Sequence, residues 1–569
     1  MTPHVQPLFE PPAARELSDP STIEGIEKLS YGKGTTDVPL LEETLGANLA
    51  RMVSLYPDNE AIVDLYGDIH MTYTEFYRKV QRLASGLYAE GYRPGDRIGI
   101  WAPNRWEWTI VQYATAEIGC ILVCINPTYR IKELNYVMNQ AGIKALFSAG
   151  RFKDSNYRAM IHTAEHQFDR NYKETIFFGS ERWNELSNHA ILDLNPIREQ
   201  LSPHDPINIQ YTSGTTGMAK GATLSHRNIL NNGYFVGEVI NYTDKDRVVI
   251  PVPFFHCFGM VMGNIAALSH GATTIIPGPV FTPQSALEAA HLGQATSLYG
   301  VPTMFIAELH ELSLASGKYD LSNLRTGIMA GTSCPTKTMR EVMDIMGMTE
   351  VSICYGMTET SPVNHQTTPD DAVEKRVETV GRPGPHIEVK IVDANGEILP
   401  RGQQGEILVR GYSVMKGYWD MPVKTEEAID DDGWMHSGDL GLMDDEGYVQ
   451  ITGRIKDMVI RGGENLYPRE IEEFYYSHPD ISDVQIIGVP DEKYGEELMA
   501  WIIMNDGAEP LTAEDLKKFA DGNLARHKIP RYVHVVDSYP MTLSGKVRKV
   551  EMREMAIEIL GMYDKNDKN

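Results

Sequence analysis

Ile207-Asn208-Ile209-Gln210-Tyr211-Thr212-Ser213-Gly214-Thr215-Thr216-Gly217-Met218-Ala219-Lys220-Gly221 is an alternating apolar run that enters a loop of small and hydroxylated residues. The alternation predicts a strand over 207–211, and Ser225 is a suitable N-cap for a following helix. Small residues at 212–217 let backbone amides approach phosphate oxygens closely, hydroxyls add donors, and Lys220 adds a cation. The Gly-Lys-Ser/Thr ending of a Walker loop is absent. Taken alone, the segment is also compatible with a plain polar loop.

Working outward, the same strand-then-turn texture repeats. Phe76, Val80, Leu83 and Leu87 are spaced for one face of a helix that starts near Thr74 and closes at Gly91. Strands are predicted at 97–101, 121–125 and 144–148, with a helix over 131–141 between the last two. Further strands follow at 248–252, 273–276, 297–300 and 351–355. This alternation predicts βαβ units and mostly parallel sheets. Beyond Gly381 the pattern changes to hairpins, with 387–392 turning at Asn395-Gly396 into 406–410, then 448–452. Strands at 484–489 and 498–504 precede a helix capped by Thr512 and Asp515. The expected fold is α/β, with a large multi-subdomain N-terminal domain and a small, mobile α+β C-terminal domain. The boundaries are an N-terminal extension over 1–44, the large domain over 45–455 and the small domain over 456–569.

Composition narrows the function. With 42% hydrophobic and 23% charged residues, the 569-residue chain has the make-up of a soluble globular protein. No run approaches the ~18 apolar residues of a membrane span. The acidic, proline-rich start resembles neither a signal nor a transit peptide. Five scattered cysteines imply buried free thiols and a cytoplasmic setting. A formal net charge of -26 argues against nucleic acid as a partner, so any phosphate must be met by local cations and amides.

Four more segments carry candidate chemistry. Tyr355-Gly356-Met357-Thr358-Glu359-Thr360-Ser361-Pro362 follows an apolar strand and offers a hard carboxylate, Glu359, suited to Mg²⁺. Ser437-Gly438-Asp439-Leu440-Gly441 places an Asp in a glycine turn able to accept two ribose hydroxyls. Gly453-Arg454-Ile455-Lys456-Asp457 leads toward Gly462-Gly463-Glu464-Asn465. Thr542-Leu543-Ser544-Gly545-Lys546-Val547-Arg548-Lys549 concentrates cations. Each also has a plainer account as a turn or a solvated face.

In their order and spacing these segments resemble the adenylate-forming superfamily of acyl-CoA synthetases, luciferases and peptide-synthetase adenylation domains, from about Leu45 to Met555. The stretches 461–468 and 410–415 look most like medium-chain fatty acyl-CoA synthetases. The resemblance implies that Thr212, Ser213, Gly214, Thr215, Thr216, Gly217 and Lys220 grip the β- and γ-phosphates of ATP. It places Gly331, Thr332 and Ser333 in the adenine loop, with Tyr355 and Gly356 beside the base. Thr358 would lie near the α-phosphate, Glu359 on Mg²⁺, and Asp439 and Arg454 on the ribose. Lys546 would be the catalytic lysine, His256 the neighbour of the substrate carboxylate, Lys456 the hinge, and Gly462 and Gly463 the loop that admits coenzyme A. Position in that fold assigns Phe255, Met260, Val261, Tyr299, Val301 and Ala330 to the acyl pocket. The implied activity is ATP-dependent conversion of a carboxylic acid to acyl-AMP and then acyl-CoA. The alternatives are transfer to a carrier-protein thiol, luciferase-like oxidation, or a nucleotide-binding sensor without catalysis. A homodimer is one assembly the sequence permits.

Overall fold

A computed structural model of the chain describes residues 19–23, 25–212, 219–332, 334–542 and 545–562. The helix Tyr73–Ala89 begins where Thr72 Oγ1 accepts from the Glu75 amide at 3.2 Å and the Glu75 carboxylate accepts from the Thr72 amide at 2.9 Å. Phe76, Val80, Leu83 and Leu87 are all fully buried on its inner face. The helix Trp106–Glu117 is different: every residue from Glu107 onward is buried, so it carries no polar stripe and no period to read.

Among the described residues the strands form four sheets. One has nine strands, in the spatial order Arg382–Pro383, Val363–Gln366, Glu350–Gly356, Thr326–Ala330, Ser297–Gly300, Arg247–Val249, Thr273–Ile276, Glu60–Asp64 and Ile69–Thr72. Its centre is parallel and its edges are antiparallel. A seven-stranded sheet has Ile121–Cys124, Arg97–Trp101 and Ala145–Ser148 in parallel at its centre. Its other end is the hairpin Pro206–Thr212 and Lys220–Ser225, with Gly417–Tyr418 on the outer edge. An all-antiparallel sheet holds Tyr31–Lys33, Ile387–Val392, Gly405–Gly411, Met435–Met443 and Val449–Arg454.

After the short turn Ile455–Asp457 the chain builds a separate sheet from Val459–Arg461, Glu464–Leu466, Ile481–Asp491, Gly495–Met504 and Tyr532–Val535. This sheet has its own core, around Val459, Ile471, Tyr475, Val484 and Leu498. The Thr512–Asp515 cap opens the helix Ala513–Ala520 there.

The structure adds two elements to the reading. Within the extension over 1–44, Tyr31–Lys33 pairs with Ile387–Val392 as an edge strand. A three-residue strand centred on Gly32 has too short a period to announce itself. Likewise, Ser225 caps the helix His226–Val239, but an antiparallel strand, Lys220–Ser225, stands between the loop and that helix.

One buried group stands apart. Glu308, on the helix Pro302–Leu314, is fully buried, and among the described residues neither carboxylate oxygen has a hydrogen-bond partner. Desolvation raises its pKa well above the ordinary 4.5. A raised native value means the wild type loses stability as pH climbs above the ordinary carboxyl range, because unfolding then releases a proton. Glu308→Met should therefore raise the thermal midpoint, by the equivalent of about 1–3 kcal/mol at neutral pH. Its advantage over wild type should shrink toward pH 4.5. Parallel melts across that range check this, and a constant difference would refute the assignment.

Candidate active site

In an open α/β sheet, ligands gather outside the carboxyl ends of the strands. Here Phe255 and His256 lie beyond Arg247–Val249, Val301 follows Ser297–Gly300, Gly331 and Thr332 follow Thr326–Ala330, and Thr358 and Glu359 follow Glu350–Gly356. Gly356 is required by close approach: a Cβ there would sit 1.8 Å from the Pro362 carbonyl oxygen. That contact lets the 356–362 turn fold back and present Glu359.

Lys546 enters this crevice from the C-terminal unit. Its loop is closed by the Thr542 amide donating to the Lys546 carbonyl at 2.8 Å and by the Lys546 amide donating to Thr542 Oγ1 at 3.0 Å. A Cβ at Gly545 would lie 2.6 Å from Val301 Cγ2, so the loop seats directly on the large domain. Lys546 keeps solvent-accessible surface in the cleft, yet protein surrounds it. That desolvation, followed by the charge of Arg454, lowers its proton affinity, while Asp439 and Glu359 act in the opposite sense. Further along, Lys549 Nζ pairs with Glu472 Oε1 at 2.6 Å and ties the loop to the helix Pro468–Tyr476.

Asp439 is gripped from two sides. Tyr355 Oη donates to one carboxylate oxygen at 2.7 Å and Arg454 Nε to the other at 2.9 Å. Asp439 and Arg454 are register partners on adjacent strands. Each carboxylate oxygen has a further lone pair, so acceptance from a ribose is compatible with this geometry. Nearby, Glu359 is buried, and its Oε1 accepts from Tyr418 Oη at 2.7 Å. Its other oxygen has no hydrogen bond among the described residues, which suits a hard cation such as Mg²⁺.

His256 is half-buried, its ring 4.4 Å from that of Phe255. Desolvation, with a smaller contribution from Lys546, pushes its pKa down to about 3. The structure thus brings Lys546, His256, Glu359, Asp439, Arg454 and Tyr355 to one cleft. Thr212 and Lys220 are register partners at the mouth of their hairpin, while Ser213, Gly214, Thr215, Thr216 and Gly217 lie outside the described residues, as does Ser333. Gly462 and Gly463, with φ of +62° and +87°, form the two-residue turn of the hairpin Val459–Arg461/Glu464–Leu466. Lys456 sits in the turn between the last strand of the antiparallel sheet and the C-terminal sheet.

A 380 Å³ cleft lined by Asn104, Thr128, Phe255, Thr303, Met304 and Thr542 adjoins the lysine loop. Of the six side chains expected around an acyl chain, Phe255 lines this cleft. Met260, Val261, Tyr299, Val301 and Ala330 are buried in the core cluster alongside it. A larger cavity, 610 Å³ and lined by Tyr31, Phe235, Arg382 and Tyr412 among others, contains none of the cleft's charged groups. Sequence reasoning missed Tyr418 and Cys257. The latter is buried, and desolvation pushes its thiol pKa well up, with Glu359 adding to the rise and Lys546 opposing it.

Comparison with known proteins identifies the family. The pattern of the AMP-binding enzyme family matches residues 49–419, and that of the AMP-binding enzyme C-terminal domain matches 470–546. The chain belongs to the AMP-binding enzyme family. It is 44% identical to the putative acyl-CoA synthetase YngI of Bacillus subtilis, over 92% of this chain and 99% of that one. It is 40% identical to the mitochondrial medium-chain acyl-CoA ligase ACSF2 of Danio rerio, over 96% and 94%. Among solved structures, ATP-bound MatB from Rhodopseudomonas palustris superposes with a TM-score of 0.78 at 31% identity, covering 90% of this chain and 99% of that one. A fatty acyl CoA synthetase of Mycobacterium tuberculosis gives 0.71 at 26% identity, over 91% and 99%.

In this AMP-binding enzyme, a histidine titrating near 3 is neutral throughout the physiological range. The pH profile of the adenylating step should therefore show no inflection near 6.5 arising from His256. His256→Phe should preserve the profile's shape even if the rate falls. Pyrophosphate release measured against pH in both proteins checks this, and loss of a near-neutral limb in the variant would contradict it.

Proposed function

We propose that this enzyme is an ATP-dependent acid–thiol ligase that converts a carboxylic acid, by preference a medium-chain fatty acid, to acyl-AMP and then to acyl-CoA. Pyrophosphate and AMP are the other products. The observation that carries this reading is the seat of Lys546. A cation from the C-terminal unit lies in the crevice at the strand ends, within electrostatic reach of Glu359, Asp439 and Arg454. The chain-length preference rests on the ACSF2 relatives and the medium-chain-like stretches 410–415 and 461–468.

In the first half-reaction a carboxylate oxygen forms a bond to the α-phosphorus as the bond from that phosphorus to the bridging oxygen of pyrophosphate breaks. Negative charge approaches negative charge, so positioning and neutralisation carry the catalysis. Lys546 supplies a cation at the attack, and Lys220 faces the departing polyphosphate. Residues 212–217 cradle that polyphosphate through amides and hydroxyls, with Thr358 near the α-phosphate. Asp439 and Arg454 orient the ribose, and Tyr355, with Gly356 and the 331–333 loop, borders the base. Glu359 would hold Mg²⁺, which supplies charge neutralisation when bound. His256, neutral and beside Phe255, lies next to the acid.

In the second half-reaction the sulfur of coenzyme A attacks the acyl carbon, the bond from that carbon to the AMP oxygen breaks, and the thiol proton passes to solvent. Lys546 has no part in this step. We place the hinge that withdraws it at Lys456, between the two sheets, and assign the Gly462-Gly463 turn to the thiol's approach. The domain limits follow: an extension over 1–44, a large domain over 45–455 and a small one over 456–569. The buried free thiols favour the reducing cytoplasm as the site of action.

Two experiments test this. Pyrophosphate and AMP release across acids from acetate to palmitate should peak at intermediate chain length. A shallow optimum is expected, because each buried methylene contributes about 0.8 kcal/mol. A flat response, or a maximum for aryl acids, would refute the substrate class. Separately, Lys546→Ala should slow pyrophosphate release by roughly 10²–10³-fold while still converting supplied acyl-adenylate to acyl-CoA. Equal loss in both half-reactions would overturn the role given to the lysine.

A further inference from the structure

Lys220 and Glu359 carry opposite charges at the mouth of one cleft: burial lowers the proton affinity of Lys220, and Glu359 is close enough to oppose that fall in part. Among the described residues they nevertheless form no ion pair with each other. Tyr418 stands between them. Its ring is buried, the Lys220 ammonium lies 4.1 Å from the ring centroid, and its hydroxyl donates to Glu359 Oε1 at 2.7 Å.

The backbone fixes this placement. Gly417–Tyr418 pairs antiparallel with the lysine's own strand, Tyr418 opposite Ala222. The Trp419 amide donates to the Gly221 carbonyl at 2.7 Å and the Lys416 amide to the Thr223 carbonyl at 2.9 Å. The Met415 amide donates to the Glu359 carbonyl at 2.9 Å, and the Tyr418 amide to Thr425 Oγ1 at 2.9 Å. The segment 415–419 is thus bound both to the strand that carries the lysine and to the turn that carries the glutamate.

We propose that Tyr418 is a positioning residue that keeps Lys220 and Glu359 from neutralising each other before nucleotide arrives. A direct Lys–Glu contact in a partly desolvated cleft would occupy both charges, and ATP would have to break it to bind. The aromatic face holds an ammonium without using up a negative charge. The hydroxyl holds the carboxylate through one oxygen and leaves the other available. This inference rests on the assignment of Lys220 to the polyphosphate and Glu359 to the cation.

Equilibrium binding of ATP by calorimetry, in EDTA and in Mg²⁺, tests it without reference to turnover. In EDTA, Tyr418→Leu should weaken ATP binding about tenfold, whereas Tyr418→Phe, which keeps the ring, should stay within about threefold. Glu359→Gln removes a negative charge near the polyphosphate and should help ATP binding in EDTA in either background. The decisive quantity is the difference: its gain should be at least about fivefold larger in Tyr418→Leu than in the parent, because there it also releases the lysine. If Tyr418→Leu does not fold, Tyr418→Met carries the same expectation. An additive cycle, or Tyr418→Phe as weak as Tyr418→Leu, overturns the role of Tyr418. Unchanged ATP binding in Lys220→Met would instead overturn the site assignment beneath it.

Discussion

The ion pair between Arg454 and Asp439 is the point at which the molecule's parts meet. Asp439 lies on the antiparallel sheet, and its second oxygen is held by Tyr355, at the end of a strand in the nine-stranded sheet. Arg454 is the last residue before the turn into the C-terminal sheet. Its charge also bears on Lys546, which that last sheet's unit delivers. One carboxylate thus links two sheets, and its partner sits at the root of the segment that brings in Lys546. Asp439 alone would be a buried, uncompensated charge, whereas Arg454 keeps much of its surface in solvent, so it is the carboxylate that needs its partner.

The acidity of the chain sharpens this requirement. At a formal net charge of -26, long-range electrostatics disfavour a polyphosphate, and attraction must be local. Lys220, Arg454 and Lys546 come from three separated segments and converge where the parallel strands end. The carboxylates among them, Glu359 and Asp439, are each held by a tyrosine hydroxyl, from Tyr418 and Tyr355. A neutral donor orients a carboxylate without cancelling it, so the site keeps both signs of charge within one cleft.

Much of the scaffold could be read from residues alone. The strands Arg97–Trp101, Thr273–Ile276, Ser297–Gly300 and Ile387–Val392 are apolar or alternating runs bounded by turn signals, and their limits agree with the reading. The helix Trp106–Glu117 was not legible, since burial on every side erases the stripe that marks a helix. Lys220–Ser225 was hidden because Gly221, Ala222 and Thr223 look like loop residues until the partner strand is known. Site residues divide in the same way. Glu359 and Asp439 stand out as charges beside glycine turns, but only the order of motifs linked them to Lys546. Tyr418 gave no local signal, because its importance comes from a strand almost 200 residues earlier in the chain.

The C-terminal unit has its own hydrophobic core, and Lys546 is carried at its far end. Synthesis runs from the N-terminus, and domains generally fold as they emerge. A growing chain therefore completes the nucleotide-facing cleft well before the lysine is made. The same asymmetry applies to a chain clipped in the segment after Arg454, which retains Asp439, Glu359 and Lys220 but loses Lys546. On the roles proposed above, the groups assigned to the nucleotide are thus complete before the group assigned to the attack is made, and a cut at the tail separates the two again.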